Sequence, residues 1–221
     1  MPTSRSYGDA CGIARALDVV GERWALLVLR ELLFGPQRFS DLRRGLAGAS
    51  SNLVADRLRE LTARGVVQRR KLAPPAGSWV YELTEWGREL EPVIVALGNW
   101  GLRVPLPDGP VTLGPVSVLL YLRTAGRPAP GADSSVQLDF DGRVWTARTG
   151  GGQVRIEAGE TAGADAVLRT DPATLNALLD DPDGLDAALA GGSAQVTGDL
   201  TPVRRLIGSV ATALTGPKQA S

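Results

Sequence analysis

Apolar residues recur along the first hundred positions with the spacing of helices. Ile13, Ala16, Leu17 and Val20 form one stripe, with Asp9 as candidate N-cap and Gly21 as the end. Trp24 to Phe34 is apolar except for Arg30 and Glu31, which suits a helix enclosed by its neighbours, and Gly35-Pro36 stops it. Ser40 to Leu46 is a short third helix. A Gly48-Ala49-Ser50-Ser51-Asn52 turn supplies a Ser/Asn cap for a fourth helix over Leu53 to Arg64. On its wheel Leu53, Val54, Leu58 and Leu61 share one side, and Asn52, Ala55, Asp56 and Arg59 the other. After Gly65 come two β-prone runs, Val66 to Arg70 and Trp79 to Leu83, parted by Pro74-Pro75-Ala76-Gly77. Thr84 then caps a last helix from Glu85 to about Leu102, with Leu90, Val93, Ile94, Leu97 and Trp100 on its apolar face.

Four helices, a basic hairpin and a helix make the order of a winged helix-turn-helix. Beyond it, Val104-Pro105-Leu106-Pro107-Asp108-Gly109-Pro110 has the proline density of a linker. The expected division is a mainly α winged helix-turn-helix domain over 1–103, a linker over 104–112 and an α+β domain over 113–221. In the last, Val111 to Ala125 reads as a buried helix. Val136, Leu138 and Phe140 alternate with polar residues, Asp141-Gly142 turns the chain, and Arg143 to Thr149 returns. Gly150-Gly151-Gly152 lacks a following Lys-Ser/Thr and precedes a strand with Val154 and Ile156, so it is a turn and not a phosphate cradle. Further strands are expected around Ala166 to Arg169 and Ala194 to Val196. Asp171-Pro172 opens a helix, Asp183 to Leu189 gives another, and Thr201 to Leu214 the last. Asp180, Asp181 and Asp183 surround Pro182 and read as loop and cap residues.

Composition narrows the chemistry. The 221 residues are 43% hydrophobic and 22% charged, with mean hydropathy near zero, as in a soluble globular protein. There is no histidine, which removes Ser-His-Asp and Cys-His nucleophiles, histidine-ligated zinc and a histidine pH switch. The single cysteine, Cys11, excludes an intrachain disulfide and a multi-cysteine metal site. MPTSRSYGDA lacks the apolar core of a signal peptide, and apolar runs such as Trp24 to Leu29 fall short of the ~18 residues of a membrane span. The expectation is a cytoplasmic protein with no cofactor and no catalytic group.

The 24 basic and 24 acidic residues cancel overall but not locally. Up to Arg103 there are 15 basic and 11 acidic residues, and beyond it 9 and 13. Arg38 to Lys71 holds nine basic residues against Asp41, Asp56 and Glu60. A capped helix offers its first residues to base edges in the major groove, and a basic hairpin reaches phosphates beside it. Asn52 and Arg59 are therefore candidates for base edges and Ser50 or Ser51 for phosphate. Arg57 lies at the margin of the buried side, where it could instead pair with an acid. Arg69, Arg70 and Lys71 are phosphate candidates that alternation sends to opposite faces, and Arg43 and Arg44 are further ones. The bland alternative is a helix cap and a solvated face.

Cys11 before Gly21-Glu22-Arg23-Trp24, then Leu29-Arg30-Glu31-Leu32, Arg38-Phe39-Ser40-Asp41-Leu42, Leu58-Arg59-Glu60-Leu61, Gly65-Val66-Val67, Tyr81-Glu82-Leu83-Thr84-Glu85-Trp86-Gly87 and Trp100-Gly101 resemble, in order, the HxlR-type (MarR-related) winged-helix regulators. Arg23 stands where the family often has lysine. The resemblance implies a homodimeric transcription regulator on inverted-repeat double-stranded DNA, with the first and last helices forming the dimer interface. It also implies that Cys11 is a possible redox or electrophile sensor, beside the alternative of a small buried apolar residue. Val136-Gln137-Leu138-Asp139-Phe140-Asp141-Gly142, Ala166-Val167-Leu168-Arg169-Thr170-Asp171 and Val196-Thr197-Gly198-Asp199 resemble the sterol-carrier-protein type of lipid-binding domain. That implies an apolar pocket between sheet and helices. The expected function is a DNA-binding repressor relieved by an apolar small molecule. The alternative is an apolar-ligand carrier whose first domain only dimerises.

Overall fold

The computed structural model describes residues 6–73, 77–109, 111–131 and 133–210. The chain divides into two compact units, Met1–Thr112 and Leu113–Ser221.

In the first unit α1 is Gly12–Val20, α2 Ala25–Glu31, α3 Phe39–Gly45 and α4 Ser51–Ala63. The hairpin pairs β1 (Val67–Lys71) with β2 (Trp79–Leu83), and α5 (Glu85–Arg88) and α6 (Glu91–Gly101) follow. The expected turn at Pro74-Pro75-Ala76 lies outside the described residues. Val28, Leu29, Leu42, Val54, Leu58, Leu61, Val66 and Val67 are buried to within 1% and make the core under α4 and the hairpin. Gln37 adds a third backbone segment to the hairpin, its N–H donating to the Tyr81 carbonyl at 2.9 Å and its carbonyl accepting from the Tyr81 N–H at 2.8 Å.

Two expectations change in this unit. The first helix begins after Cys11, and Asp9 acts from outside it by accepting the Cys11 N–H at 2.9 Å. The expected long last helix is two helices, because Pro92 has no N–H to give the ladder at the start of α6. The apolar stripes on α1 and α6 are mostly uncovered. Ile13 and Leu17 on α1, and Val93, Leu97 and Trp100 on α6, are exposed, and of the α6 stripe Ile94 is buried.

The second unit has α7 (Pro115–Ala125), then β3 (Ser134–Phe140), β4 (Arg143–Gly150), β5 (Gln153–Ala158) and β6 (Ala166–Thr170). After these come α8 (Pro172–Asp180), a 3-10 turn at Pro182–Gly184, α9 (Leu185–Ala190), β7 (Ala194–Gly198) and α10 (Leu200–Gly208). Leu214, expected in the last helix, lies outside the described residues. The mixed sheet has the order β5-β4-β3-β6-β7, with β3 and β6 parallel and the other pairs antiparallel. Pairing puts Val136, Leu138, Trp145, Ala147, Ile156 and Leu168 on one face, all buried. The polar face is crossed by the loop after β5, whose Thr161 carbonyl accepts from Gln137 Nε2 at 2.8 Å and whose Thr161 hydroxyl accepts from Arg148 at 3.0 Å. Asp171 caps α8 as expected. Burial pushes its carboxyl up, but bonds from the Thr174 hydroxyl and the Thr174 and Ala173 amides outweigh this and hold it below the usual carboxylate range. Among the described residues no helix is long and apolar enough to cross a membrane.

Candidate nucleic-acid interface

α4 begins where the sequence has a hydroxyl followed by apolar residues on one side. The Ser50 Oγ accepts the Leu53 N–H at 3.2 Å, satisfying one of the free amides of the first turn. Val54, Leu58 and Leu61 anchor the helix in the core. Asn52 and Arg59 consequently stand exposed on the opposite side. Arg59 leans on Asp56 at 2.9 Å in a pair open to solvent, which contributes little stability and leaves the guanidinium able to exchange partners. Arg43 of α3 donates to the Ser51 hydroxyl at 3.1 Å, so a cation and two hydroxyls gather at the start of α4. Arg44 lies 3.6 Å from Asp41 on the exposed side of α3.

Arg57 sits differently. Its side chain is 13% exposed, and its guanidinium pairs with Glu60 and, at 3.5 Å, with Glu22. Both neutralise it from within the unit, so it braces α4 rather than reaching outward.

The hairpin separates its basic residues by face. Arg69 lies opposite Tyr81 and Lys71 opposite Trp79, whereas Gln68 and Arg70 point the other way beside Glu82. The Arg69 guanidinium carbon is 4.4 Å from the Trp79 ring centre and 5.9 Å from that of Tyr81, a stack that holds the cation without removing its charge. Arg70 is bound twice by Glu82, Nε to Oε1 and Nη2 to Oε2, both at 2.9 Å, and Gln68 adds a bond to Oε1 at 2.8 Å. The Arg70 bond holds the Glu82 carboxyl below its ordinary value despite burial, and the same bond raises Arg70. Arg69 and Lys71 are thus the outward cations of β1, and Arg70 is tied to its neighbour strand.

Because the Glu82 group is depressed in the folded chain, the stability it gives is present above the unfolded carboxylate value of about 4.3 and is lost as pH falls through the lower folded value. Carbon NMR of Glu82 should give a midpoint below about 4.3, and Glu82→Gln should remove the acid-induced rise in hairpin amide exchange. An ordinary midpoint, or equal exchange in both proteins, would contradict this.

Sequence reading missed Trp79 and Tyr81 as supports for Arg69, and Glu82 as the partner of Arg70. Period-two alternation carried the signal, but the pairing register needed the length of the turn. Cys11 is exposed at the start of α1. Asp180, Asp181 and Asp183 lie around the 3-10 turn, where Asn176 bonds Asp180 at 3.2 Å.

Comparison with known proteins places this half of the chain among regulators. The HxlR-like helix-turn-helix model matches residues 19–105. An uncharacterised HTH-type transcriptional regulator of Mycobacterium tuberculosis is 43% identical over 107 residues, 48% of this chain and 66% of the relative's length. The uncharacterised HTH-type regulator YdeP of Bacillus subtilis is 36% identical over 95 residues, 42% of this chain and 73% of the relative. Among solved structures, the redox regulator HypR in its oxidised form is 31% identical, with a TM-score of 0.41 and coverage of 44% of this chain and 100% of that one.

Proposed function

Since the chain belongs to the HxlR-like helix-turn-helix family, we propose that it is a sequence-specific DNA-binding transcription regulator, a homodimer on an inverted repeat, acting as a repressor by binding and not by catalysis. The observation that carries this is the capped α4, with Asn52 and Arg59 exposed, standing in one unit with a hairpin whose Arg69 and Lys71 face outward. The α4 residues would read base edges, and the hairpin cations would hold phosphates. Ile13 and Leu17 on α1, with Val93, Leu97 and Trp100 on α6, support the dimer, because a second copy would bury apolar surface that one chain leaves in water. Two α4 helices would then enter major grooves about 34–36 Å apart, and a duplex so covered is closed to other proteins.

The division of roles has a direct test in DNA titrations of the full chain. Arg69→Ala should weaken binding to all sequences and lower the salt slope by about 1. Asn52→Ala should cost about 1–3 kcal/mol on the operator alone. Equal losses on operator and unrelated DNA for both variants would sink the division. For the second unit, the proposal is a sensor in which an apolar molecule held between sheet and helices relieves DNA binding. Native mass spectrometry that finds no apolar passenger in the full chain from any growth condition would remove the sensor and leave the DNA-binding proposal standing.

A further inference from the structure

The turn between α1 and α2, residues 21–24, touches α4 and its approach at two places. The Glu22 carboxylate lies 3.5 Å from the Arg57 guanidinium in the middle of α4. The Trp24 ring reaches the turn that leads into α4, standing 3.8 Å from the place a Cβ on Gly48 would take. We propose that this turn is a clamp in which Glu22, Trp24 and Arg57 fix the angle of α4 to α1, and with it the half-site spacing that the dimer accepts. The clamp rests on the regulator reading and makes Arg57 a positioning residue that sets specificity without touching DNA.

The turn is stiff by construction. At its start Gly21 donates its N–H to the Leu17 carbonyl at 2.8 Å, and a Cβ on Gly21 would stand 2.5 Å from that oxygen. The Glu22 carbonyl then accepts the Ala25 N–H at 3.0 Å, which makes Trp24 the third residue of a tight turn. Its φ of 78° is one that glycine ordinarily supplies at that position. A bulky residue keeps such a backbone only where its surroundings hold it there. Here the half-buried Trp24 ring rests at the Gly48 turn, with the Arg23 guanidinium carbon 5.9 Å from its centre.

Arg57 is the other jaw. Its side chain is 13% exposed, and the Nη1 that faces Glu22 is also held by Glu60, three residues further along α4. The Glu22 side chain is 71% exposed, so its pair with Arg57 adds little stability. What it supplies is direction, because it joins the end of α1 to the middle of α4. A second copy seated on Ile13 and Leu17 fixes α1 to the two-fold axis, and the clamp then sets where each α4 stands from that axis. One base pair more between half-sites moves the second by about 3.4 Å and turns it by roughly 35°. A stiff clamp refuses that change and a slack one follows it.

The test titrates the full chain against operator duplexes with the native half-site spacing and with one base pair added or removed, over a range of salt. In the wild type that base pair should cost about tenfold in affinity, the scale of a mismatch. Arg57→Gln should cut the penalty to about threefold or less with the salt slope and base preference unchanged, and Arg57→Lys should restore part of it. Glu22→Gln, at an exposed position, should move the penalty the same way by a smaller amount. An unchanged penalty in both Gln variants would overturn the clamp, and a salt slope lowered by about 1 in Arg57→Gln would show a phosphate contact in its place. Wild-type protein with no DNA affinity would remove the regulator reading alone. The clamp would then stand or fall on urea denaturation of the two Gln variants and their double, whose losses should not add; additive losses would overturn it.

Discussion

Gly87→Ala should cost the first unit about 2–3 kcal/mol, although a glycine-to-alanine change inside a helix ordinarily stabilises. A Cβ on Gly87 would stand 2.1 Å from the Val66 carbonyl oxygen and 3.3 Å from a Val66 methyl. Val66 is fully buried, and its carbonyl already accepts the Thr84 N–H at 3.1 Å. The Thr84 hydroxyl ties the same corner, donating to the Gly65 carbonyl at 2.7 Å and accepting the Gly87 N–H at 3.1 Å. The closest contact is therefore with the Val66 backbone, which cannot swing aside as the end of a flexible side chain can. Relief requires α5 to leave the hairpin root, which breaks the bonds that fix where β1 and β2 emerge. Urea denaturation should show a lower midpoint with an unchanged slope. A loss under about 0.5 kcal/mol would mean that the corner yields easily.

A larger loss is expected where α2 meets α3. The Glu31 side chain is fully buried, with Oε1 receiving Arg30 Nη2 at 2.7 Å and Nε at 3.2 Å. Its other oxygen lies 2.3 Å from the place a Cβ on Gly45 would take. Glu31→Ala should cost about 3 kcal/mol, the low end for breaking a buried pair, because Arg30 is 21% exposed and can turn to water. Gly45→Ala alone should cost about 1–3 kcal/mol by crowding the carboxylate. The two changes should not add: with the carboxylate gone the new methyl has room, and the double variant should recover at least about 1 kcal/mol. Additivity within about 0.5 kcal/mol would show that the glycine is there for another reason.

Helix starts and strand faces were legible because each depends on neighbours in sequence. Ser50 before Leu53 and Val54 marks α4, and Asp171-Pro172 marks α8. Asp141 and Gly142, both at positive φ, close the β3–β4 hairpin that the Asp-Gly pair foretold. What remained hidden depends on partners distant in the chain. Alternation assigns a residue to a face without naming its partner, so it gave neither the Arg70–Glu82 pair nor the parallel pairing of β3 with β6. The stripes on α1 and α6 have the same periodicity whether they meet their own core or another chain. Only burial shows that Ile13 and Trp100 stay outside it. Arg57 lay at the wheel's margin, and its pairing with Glu60 one turn on, joined by Glu22 from before α2, ties it back to the unit.

The most direct measurement is footprinting of the full chain on the duplex upstream of its own gene, at low salt, with binding stoichiometry read in parallel. A DNA-binding regulator should bind saturably as two chains per site and protect two inverted half-sites about 34–36 Å apart, with affinity falling by roughly 0.9 log units per phosphate contact for each decade of salt. Folded, dimeric protein that protects no segment of that duplex at any concentration, and binds it no better than unrelated DNA, would contradict the proposal.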